Sequence, residues 1–416
     1  MAHETINAEC AIAGGGPAGV MLGFLLARAG VRVVVLEKHN DFFRDFRGDT
    51  IHPSTLEIMH ELGLLDAFLK LPHQEVTELG AQIGNDMVTL ADFSHLPTHA
   101  KFLAFMPQWD FLNFLAAQGK RYPTFDLRMG AQVDELVKDG DKVVGLNAAT
   151  AGGDLEVRAG LVVGTDGRHS TVRKLAGLDV QDLGAPMDVL WMHLSRRPED
   201  GADTLGRIEP GRFFIMINRG EHWQCAFVIP KGGFNELRRK GLEAFQLAIV
   251  ALKPSLASRL HEITSWDDVK LLTVRVDRLK QWYGRGVLCI GDAAHAMSPI
   301  GGVGVNLAVQ DAVATANILA APLLRGGVIE EDLRKVQQRR LLPTKLTQAL
   351  QVLVQNRVVT SVLTMTGPPK PPFAIRLLNE YPWLRRFPAR LIGMGFRPEH
   401  VSVPEASEPV AGAGLP

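Results

Sequence analysis

Residues 9–37 read ECAIAGGGPAGVMLGFLLARAGVRVVVLE. A short apolar run (9–13) meets the cluster Gly14-Gly15-Gly16-Pro17-Ala18-Gly19. A helical pattern follows over 17–29, with proline in the first turn, where its missing N–H costs nothing. Gly30 closes the helix, 31–36 is a β-branched strand, and Glu37 ends it. This is a complete βαβ unit built on a G-x-G-x-x-G turn. Gly14 suits the tight turn, Gly16 lets a pyrophosphate approach the backbone, and Gly19 lets helix and strand pack closely. The helix N-terminus offers free N–H groups and the positive end of its dipole. Glu37 stands at the spacing of a carboxylate that takes ribose hydroxyls. The unit therefore predicts dinucleotide binding, and the turn alone does not separate FAD from NAD.

Two distal segments narrow the choice. In the first, an apolar strand from Leu161 ends in Asp166-Gly167, and Ser170 is placed as the N-cap of a helix running to about Ala176. Alone, it reads as a strand-turn-helix in which Asp166 satisfies turn amides. In the second, Val287-Leu288-Cys289-Ile290 ends in Gly291-Asp292, followed by Pro299-Ile300-Gly301-Gly302-Val303-Gly304 and an apolar helix over about 305–319. An aspartate at the carboxyl end of a parallel strand points into the crevice where open α/β sheets bind ligands. A helix N-terminus after Gly304 would direct its dipole at such a ligand and favour negative charge there.

Taken together, the glycine fingerprint, the Asp-Gly segment and the Gly-Asp segment resemble those of the class A FAD-dependent monooxygenases, the family of p-hydroxybenzoate hydroxylase and the ubiquinone-biosynthesis hydroxylases. The resemblance covers residues 8–320. It implies noncovalent FAD, NADPH or NADH as co-substrate, and molecular oxygen. It also implies transfer of one oxygen atom through a flavin C4a-hydroperoxide to an aromatic or quinol-like small molecule. By the same resemblance, Gly14, Gly16, Ala18, Gly19, Glu37 and Lys38 hold the adenosine and pyrophosphate end. Arg47 and Gln108 touch the cofactor. Asp166, Gly167 and Arg173 form the segment shared with the pyridine nucleotide. Gly291 and Asp292 hold the ribityl chain, and Pro299, Gly302, Gly304, Val305 and Asn306 lie beside the flavin ring. Val303 departs from the glutamine that many members carry. No catalytic acid or base stands out. His52 reads as a surface loop residue, and His295 as a packing and hydrogen-bonding residue. A second G-x-G-x-x-G is absent, as is the W-x-W-x-I-P segment of flavin halogenases. Two other readings stay open: a flavin reductase or dehydrogenase of the geranylgeranyl-reductase type, and a non-catalytic FAD-binding redox protein.

The rest of the chain sets bounds. Lys plus Arg equals Asp plus Glu, 45 each in 416 residues, so charge gives no case for nucleic acid. Cys10, Cys225 and Cys289 are widely spaced and odd in number, which suggests neither a metal site nor a disulfide framework. Residues 10–27 are uncharged, but the glycine-proline cluster breaks them as a membrane span. Glu4 and Glu9 precede them where a signal peptide would be basic. A cytoplasmic protein is expected.

The fold expected is α/β. A discontinuous Rossmann-like FAD domain (1–75, 100–180 and 268–325) carries a parallel sheet with helices on its faces. A mostly antiparallel substrate domain (76–99 and 181–267) is interleaved with it, with strands near 78–83, 87–91, 189–195, 212–218 and 223–229 and a helix over 237–252. A further strand is expected at 268–276. Trp191, His193, Phe213, Phe214, Trp223 and Phe227 are read as apolar surface for a pocket, although each singly fits a core position. A helical segment (326–400) and a disordered tail (401–416) complete the chain. The arginine-rich stretch 376–390 reads as a membrane-surface or dimer-contact helix, or as a solvated cover on the FAD domain.

Overall fold

In the computed structural model, residues 2–43, 50–201, 205–365, 367 and 371–406 are described. The first strand, Ala2–Ala13, lies at the centre of the main sheet between Val33–Glu37 and Gly153–Gly164, parallel to both. Phe125–Met129 extends the sheet beyond Val33–Glu37, and Val287–Cys289 extends it beyond Gly153–Gly164, again in parallel. All five residues of Val33–Glu37 are buried, the signature of a strand covered on both faces. Three antiparallel strands complete it: Gln132–Asp139, Lys142–Thr150 and Tyr283–Gly284.

Ten of the twelve residues of the Pro17–Arg28 helix are buried. It packs against Gly304–Leu324 and Gln108–Gly119. Gly304–Leu324, with Ile300–Gly302 before it, is the one helix among the described residues long and apolar enough to cross a membrane, and 78% of that apolar window is buried inside the protein. It is the core helix of the nucleotide domain.

The second sheet has seven strands, in the order 270–272, 187–195, 222–230, 212–218, 205–209, 78–83 and 86–92. Every pairing is antiparallel except that of 205–209 with 78–83. Strand alternation sorts its side chains. Leu190, Met192, Leu194, Phe214, Met216, Trp223, Cys225 and Phe227 face the Leu242–Leu252 helix in one cluster. Val189, Trp191, Phe213, Ile215, Ala226 and Val228 face the other way, towards Ile300.

Three expectations need correction. The helix over 237–252 is two helices, Phe234–Lys240 and Leu242–Leu252, because Gly241 at φ 92° breaks the ladder. The strand over 268–276 shrinks to Lys270–Leu272; Asp277–Leu279 pairs with Val180–Asp182 in a separate ribbon. The tail is not loose from 401: Val401 donates to Glu61, Ser402 and Val403 to Asn317, and Ala406 to Arg28, while Glu405 pairs with Arg28 at 3.1 Å. Residues 407–416 lie outside the described set.

The long helix Glu330–Val354 buries Leu333 and Val336 in its first turns, and from Arg340 onward it is inverted. Its inward face carries Arg340, Thr344, Thr347, Gln348 and Gln351, whereas Leu342, Leu346 and Leu353 are exposed. The cause lies in what it packs on, the start of the Asp277–Leu279 strand and the irregular chain between 296 and 300. Gln348 donates to Asp277 and Ala296 carbonyls. Gln351 donates to those of Ser298 and Ile300 and accepts the Ser298 N–H. In the π-helical turn that follows, Gln355 donates to the Ser298 hydroxyl at 2.6 Å. A segment without its own ladder must find partners elsewhere, and glutamine supplies both donor and acceptor.

This arrangement gives a paired prediction. Gln351→Leu should destabilise the protein by about 3 kcal/mol or more, since it orphans three buried backbone groups. Leu346→Gln on the outer face should stay within about 0.5 kcal/mol. Denaturant midpoints read both, and equal effects would mean the helix is seated the other way round.

Candidate functional site

The glycine turn is locked by its surroundings. Gly14 sits at φ 109°, and a Cβ there would fall 2.6 Å from the Thr165 carbonyl oxygen. A Cβ on Gly19 would fall 1.9 Å from the Gly14 carbonyl oxygen, so the fingerprint helix approaches its strand as only glycine permits. The Thr165 hydroxyl, shared between the Ala13 and Gly14 carbonyls at 2.9 and 2.7 Å, ties this turn to the Asp-Gly segment. Apart from its own neighbours in the chain, no atom of the described residues lies within 4 Å of where a Gly16 Cβ would be. That face of the turn, at the helix N-terminus, is open to a phosphate. Ala18, by contrast, is buried and packs towards Gly291.

Glu37 is 9% exposed, and its carboxylate accepts the Gly15 N–H at 2.9 Å and the His39 N–H at 3.1 Å. Its position is fixed by the turn it serves. Lys38 beside it is exposed. Gln108 is the half-buried first residue of Gln108–Gly119. Arg47 lies outside the described residues.

Asp166 and Asp292 end neighbouring strands but differ in state. Asp166 accepts from the Ser170 hydroxyl and from the Thr171 and Val172 amides at 2.7 and 3.1 Å, while Ser170 caps the short helix by accepting from Arg173. Burial raises its carboxyl above the usual range against the pull of those donors. Asp292, half-buried, has no hydrogen-bond or ion-pair partner among the described residues. Arg173 bridges the two segments: it reaches the Ala293 carbonyl at 3.4 Å and the Asp277 carboxylate at 3.6 Å, and also meets the Arg168 carbonyl. Gly167 adopts φ 82° at the intervening turn.

After Gly291-Asp292 the chain passes Pro299 and turns at Gly301 and Gly302, both at positive φ, into the Gly304–Leu324 helix. Val303 caps that helix by backbone alone, and Val305 is buried within it. Asn306 does not face outward. Its Oδ1 accepts the His52 N–H at 2.9 Å and the Thr55 hydroxyl at 2.7 Å, and its Nδ2 donates to the Thr50 and Gly302 carbonyls. It pins the 50–55 segment to the glycine loop.

His52 is not on the surface, contrary to expectation. It is fully buried at the start of Pro53–Glu61, with Nδ1 2.7 Å from the Ile392 carbonyl. Its Nε2 points at the Gly301–Gly302 turn without meeting a well-aligned hydrogen-bond partner. Burial pushes its pKa down to about 4, against nearby backbone carbonyls that favour the proton. The local sequence hides this, because the strand that buries His52 pairs with residues 103–105.

Sequence reasoning also passed over Asp311 as a site residue. Its carboxylate accepts the Gly291 N–H at 3.0 Å, meets His295 Nε2 at 2.6 Å and pairs with Arg340 at 2.9 Å. Burial opposes ionisation, yet His295 and Arg340 together hold its carboxyl below the usual range. A lone acid in an apolar helix was the available signal.

On the face towards the loop, Trp191, Phe213 and Ile215 are half-exposed and share a cluster with Ile300 of the loop and with Val359 and Leu363, and Phe213 also packs with Ile208 and Val362. Phe214, Trp223 and Phe227 are core residues on the far face, and His193 is exposed. Strand parity therefore leaves Trp191 and Phe213 as the pocket candidates among the six. No cluster of three potential metal ligands occurs among the described residues.

A family model described as an FAD binding domain matches residues 7–348. The chain is 31% identical over 371 residues to a 6-methylpretetramide 4-monooxygenase of Streptomyces rimosus, covering 89% of this chain and 88% of that protein. It is 25% identical to a para-nitrophenol 4-monooxygenase of a Pseudomonas strain, covering 78% of this chain and 80% of that protein. Among longer relatives, it spans 61% of a rifampicin monooxygenase of Streptomyces venezuelae. The fold matches the anhydrotetracycline hydroxylase OxyS of Streptomyces rimosus with a TM-score of 0.70 at 25% identity, over 93% of this chain and 76% of that one.

Two predictions follow from the geometry. Asp292→Ala should weaken FAD binding about ten- to hundredfold, the worth of a charge-assisted hydrogen bond, and leave the apoprotein's melting point in place. Asp166→Ala should instead lower apoprotein stability by about 1–2 kcal/mol through its lost turn contacts. Titration of apoprotein with FAD, beside thermal melts, separates them; the reverse pattern would exchange their roles. The second concerns pH. The unfolded His52 titrates near 6.5 and the folded one near 4, so the unfolded chain binds the extra proton between these values. The contribution is complete above pH 6.5 and lost as pH falls towards 4, up to about 3 kcal/mol. The wild-type-minus-His52→Gln difference in urea midpoint should shrink across that window, and a constant difference would refute it.

Proposed function

The chain belongs to the family of class A FAD-dependent monooxygenases, and from this we propose that it hydroxylates an aromatic or quinol-like small molecule with one atom of O₂, using NADPH or NADH as reductant. The observation that carries the reading is the pairing of an open dinucleotide cradle with an apolar roof. Gly16 and the Pro17–Arg28 helix N-terminus leave room for a pyrophosphate, and Asp292, two strands away, is a carboxylate with no partner among the described residues. The glycine loop then runs beneath Trp191, Phe213 and Ile215.

The donor set fits FAD along its length. Glu37 would take the adenosine ribose hydroxyls, with Lys38 outside it. The turn from Gly14 to Gly19 would hold the pyrophosphate. Asp292, beside Gly291, would accept from the ribityl chain, and Gln108 would donate from across the crevice. Gly304 and Val305 would present backbone N–H groups at a helix N-terminus to the polar edge of the flavin, where reduction leaves negative charge, and Gly302, whose own N–H goes to the Pro299 carbonyl at 3.0 Å, would shape the turn beside it. Asn306, Asp166, Gly167 and Arg173 act one step back, by holding these segments in register. Bound FAD supplies the redox and oxygen chemistry. The protein supplies position and exclusion of water, and Trp191, Phe213, Ile215 and Ile300 are the side chains that shield an aromatic acceptor over the loop.

The relatives include a para-nitrophenol 4-monooxygenase and a 3-(3-hydroxyphenyl)propionate/3-hydroxycinnamic acid hydroxylase. A phenolic ring is electron-rich at the carbons that receive oxygen and flat enough for a site walled by Trp191 and Phe213. Action in the cytoplasm is part of the proposal: Cys10, Cys225 and Cys289 are free and buried, as suits a reducing compartment.

Purified holoprotein should be yellow with noncovalent FAD. Its NAD(P)H oxidation should be slow alone and stimulated by a phenolic or quinol acceptor, which gains one atom from labelled O₂. Comparing NADH with NADPH fixes the reductant. Turnover that proceeds equally well without oxygen, or product without label, would replace the reading with a reductase or dehydrogenase.

A further inference from the structure

The helices Phe373–Glu380 and Arg386–Gly393 do not belong to the nucleotide domain. They sit on Asp86–Asp92, the last strand of the seven-stranded sheet. Asn379 seats the first helix: its side chain donates to the Met87 carbonyl and accepts the Thr89 N–H, both at 3.3 Å. Unpaired groups of an edge strand are thereby satisfied. Ile375 packs beside Val88 and Val362. The second helix is seated by Ala389, fully buried, and by Gly393, where a Cβ would fall 2.8 Å from Leu96 Cδ1.

The outward face of this seated pair is unusual. Phe373, Trp383 and Phe387 are each more than half exposed, at 67%, 56% and 64%. Trp383 and Phe387 lie 6.1 Å apart between ring centroids, and Arg376 stacks over Phe373 at 5.9 Å. Between 371 and 397 there are five arginines and one acid, Glu380, on a chain that is neutral overall. Arg376, Arg386 and Arg390 are exposed and have no carboxylate partner among the described residues. Three large rings in water at one end of a sheet, on the same two helices as three exposed guanidiniums without a carboxylate partner among the described residues (Arg386 meets only the His95 ring, at 3.5 Å), call for an occupant that is both apolar and anionic.

We propose that this face docks on an anionic lipid surface, with Phe373, Trp383 and Phe387 in the headgroup–acyl boundary and Arg376, Arg386 and Arg390 on lipid phosphates. Aromatic rings settle at that depth, and basic side chains around them meet negative headgroups. Arginine is suited to phosphate by its planar fork of donors. The charge argues against a second copy of this chain as occupant: a two-fold contact places the same patch on itself, arginine rim against arginine rim. The long core helix plays no part, since it is enclosed by protein. The proposal therefore concerns peripheral attachment and does not depend on the oxygenase reading.

The test uses full-length holoprotein and sedimentation with vesicles of phosphatidylcholine, with and without phosphatidylglycerol. The protein should sediment with the anionic vesicles, less so as salt rises, and remain free of the neutral ones. Trp383→Ser with Phe387→Ser should abolish sedimentation. Arg386→Gln and Arg390→Gln should each weaken it about fivefold, the worth of one basic residue at such a surface. All variants should keep the wild-type melting point and flavin spectrum, because the altered side chains are exposed. Absence of sedimentation with either vesicle, equal sedimentation with both, or ring variants that bind as wild type would overturn the proposal. So would size-exclusion showing that wild type is a dimer which the ring substitutions dissociate.

Discussion

The carboxylate of Asp311 holds together parts of the chain that no local signal connects. It is fully buried, and its two oxygens serve the Gly291 amide, the His295 ring and the Arg340 guanidinium. Arg340 continues to Glu399 at 3.0 Å, and Glu399 to Arg339 at 2.8 Å. Two carboxylates and two guanidiniums thus alternate through the interior, each answered by its neighbour. Such a network adds little net stability over an apolar substitute, but removing one member leaves a buried charge, at a cost of about 3–5 kcal/mol. Its role is positional. It fixes the Gly291-Asp292 turn, the core helix, the long outer helix and the strap after Arg397 in one arrangement.

The same constraint explains the inverted helix. The stretch from Gly291 to Gly304 must approach a ligand with its backbone, so between short turns at 291–293 and 300–302 it runs as neither strand nor α-helix. Irregular backbone in the interior must still be hydrogen-bonded. Gln348, Gln351 and Gln355 do this from one side and Asn306 from the other. The loop is therefore held at fixed geometry by side chains, and the leucines of Glu330–Val354 are displaced outward. Rigidity of this kind is what a site needs when position matters to the chemistry.

Residues 9–37 were legible because strand, turn and helix lie in one continuous stretch and each glycine meets a local steric demand. The parallel sheet followed from that unit and from two more strands ending in aspartate. The break at Gly241 was visible in composition but outweighed by the helical pattern on both sides. His52 and Asp311 were not legible as buried centres. His52 is buried by a strand pairing across about fifty residues, and Asp311 finds Arg340 on another helix. The orientation of Glu330–Val354 could not be read from periodicity, which assigns leucine inward by default. The pocket residues were half legible: alternation shows that Phe213 and Phe214 face opposite ways, but not which face overlooks the loop.

A distinction among the polar residues follows. Asp166, Asn306 and Asp311 satisfy the protein's own donors and so define the crevice without needing a ligand. Asp292 and the open side of Gly16 are left without partners among the described residues at the same crevice. A half-buried carboxylate with no partner is costly unless something completes it. The residues resembling family positions thus divide into those that shape the site and those that the fold leaves for a ligand. The second group is small and lies at the carboxyl ends of two parallel strands, Ala2–Ala13 and Val287–Cys289, that flank Gly153–Gly164. Sequence resemblance alone does not make that division, because both kinds of residue fall within the same three motifs; only the hydrogen-bond state of each separates them.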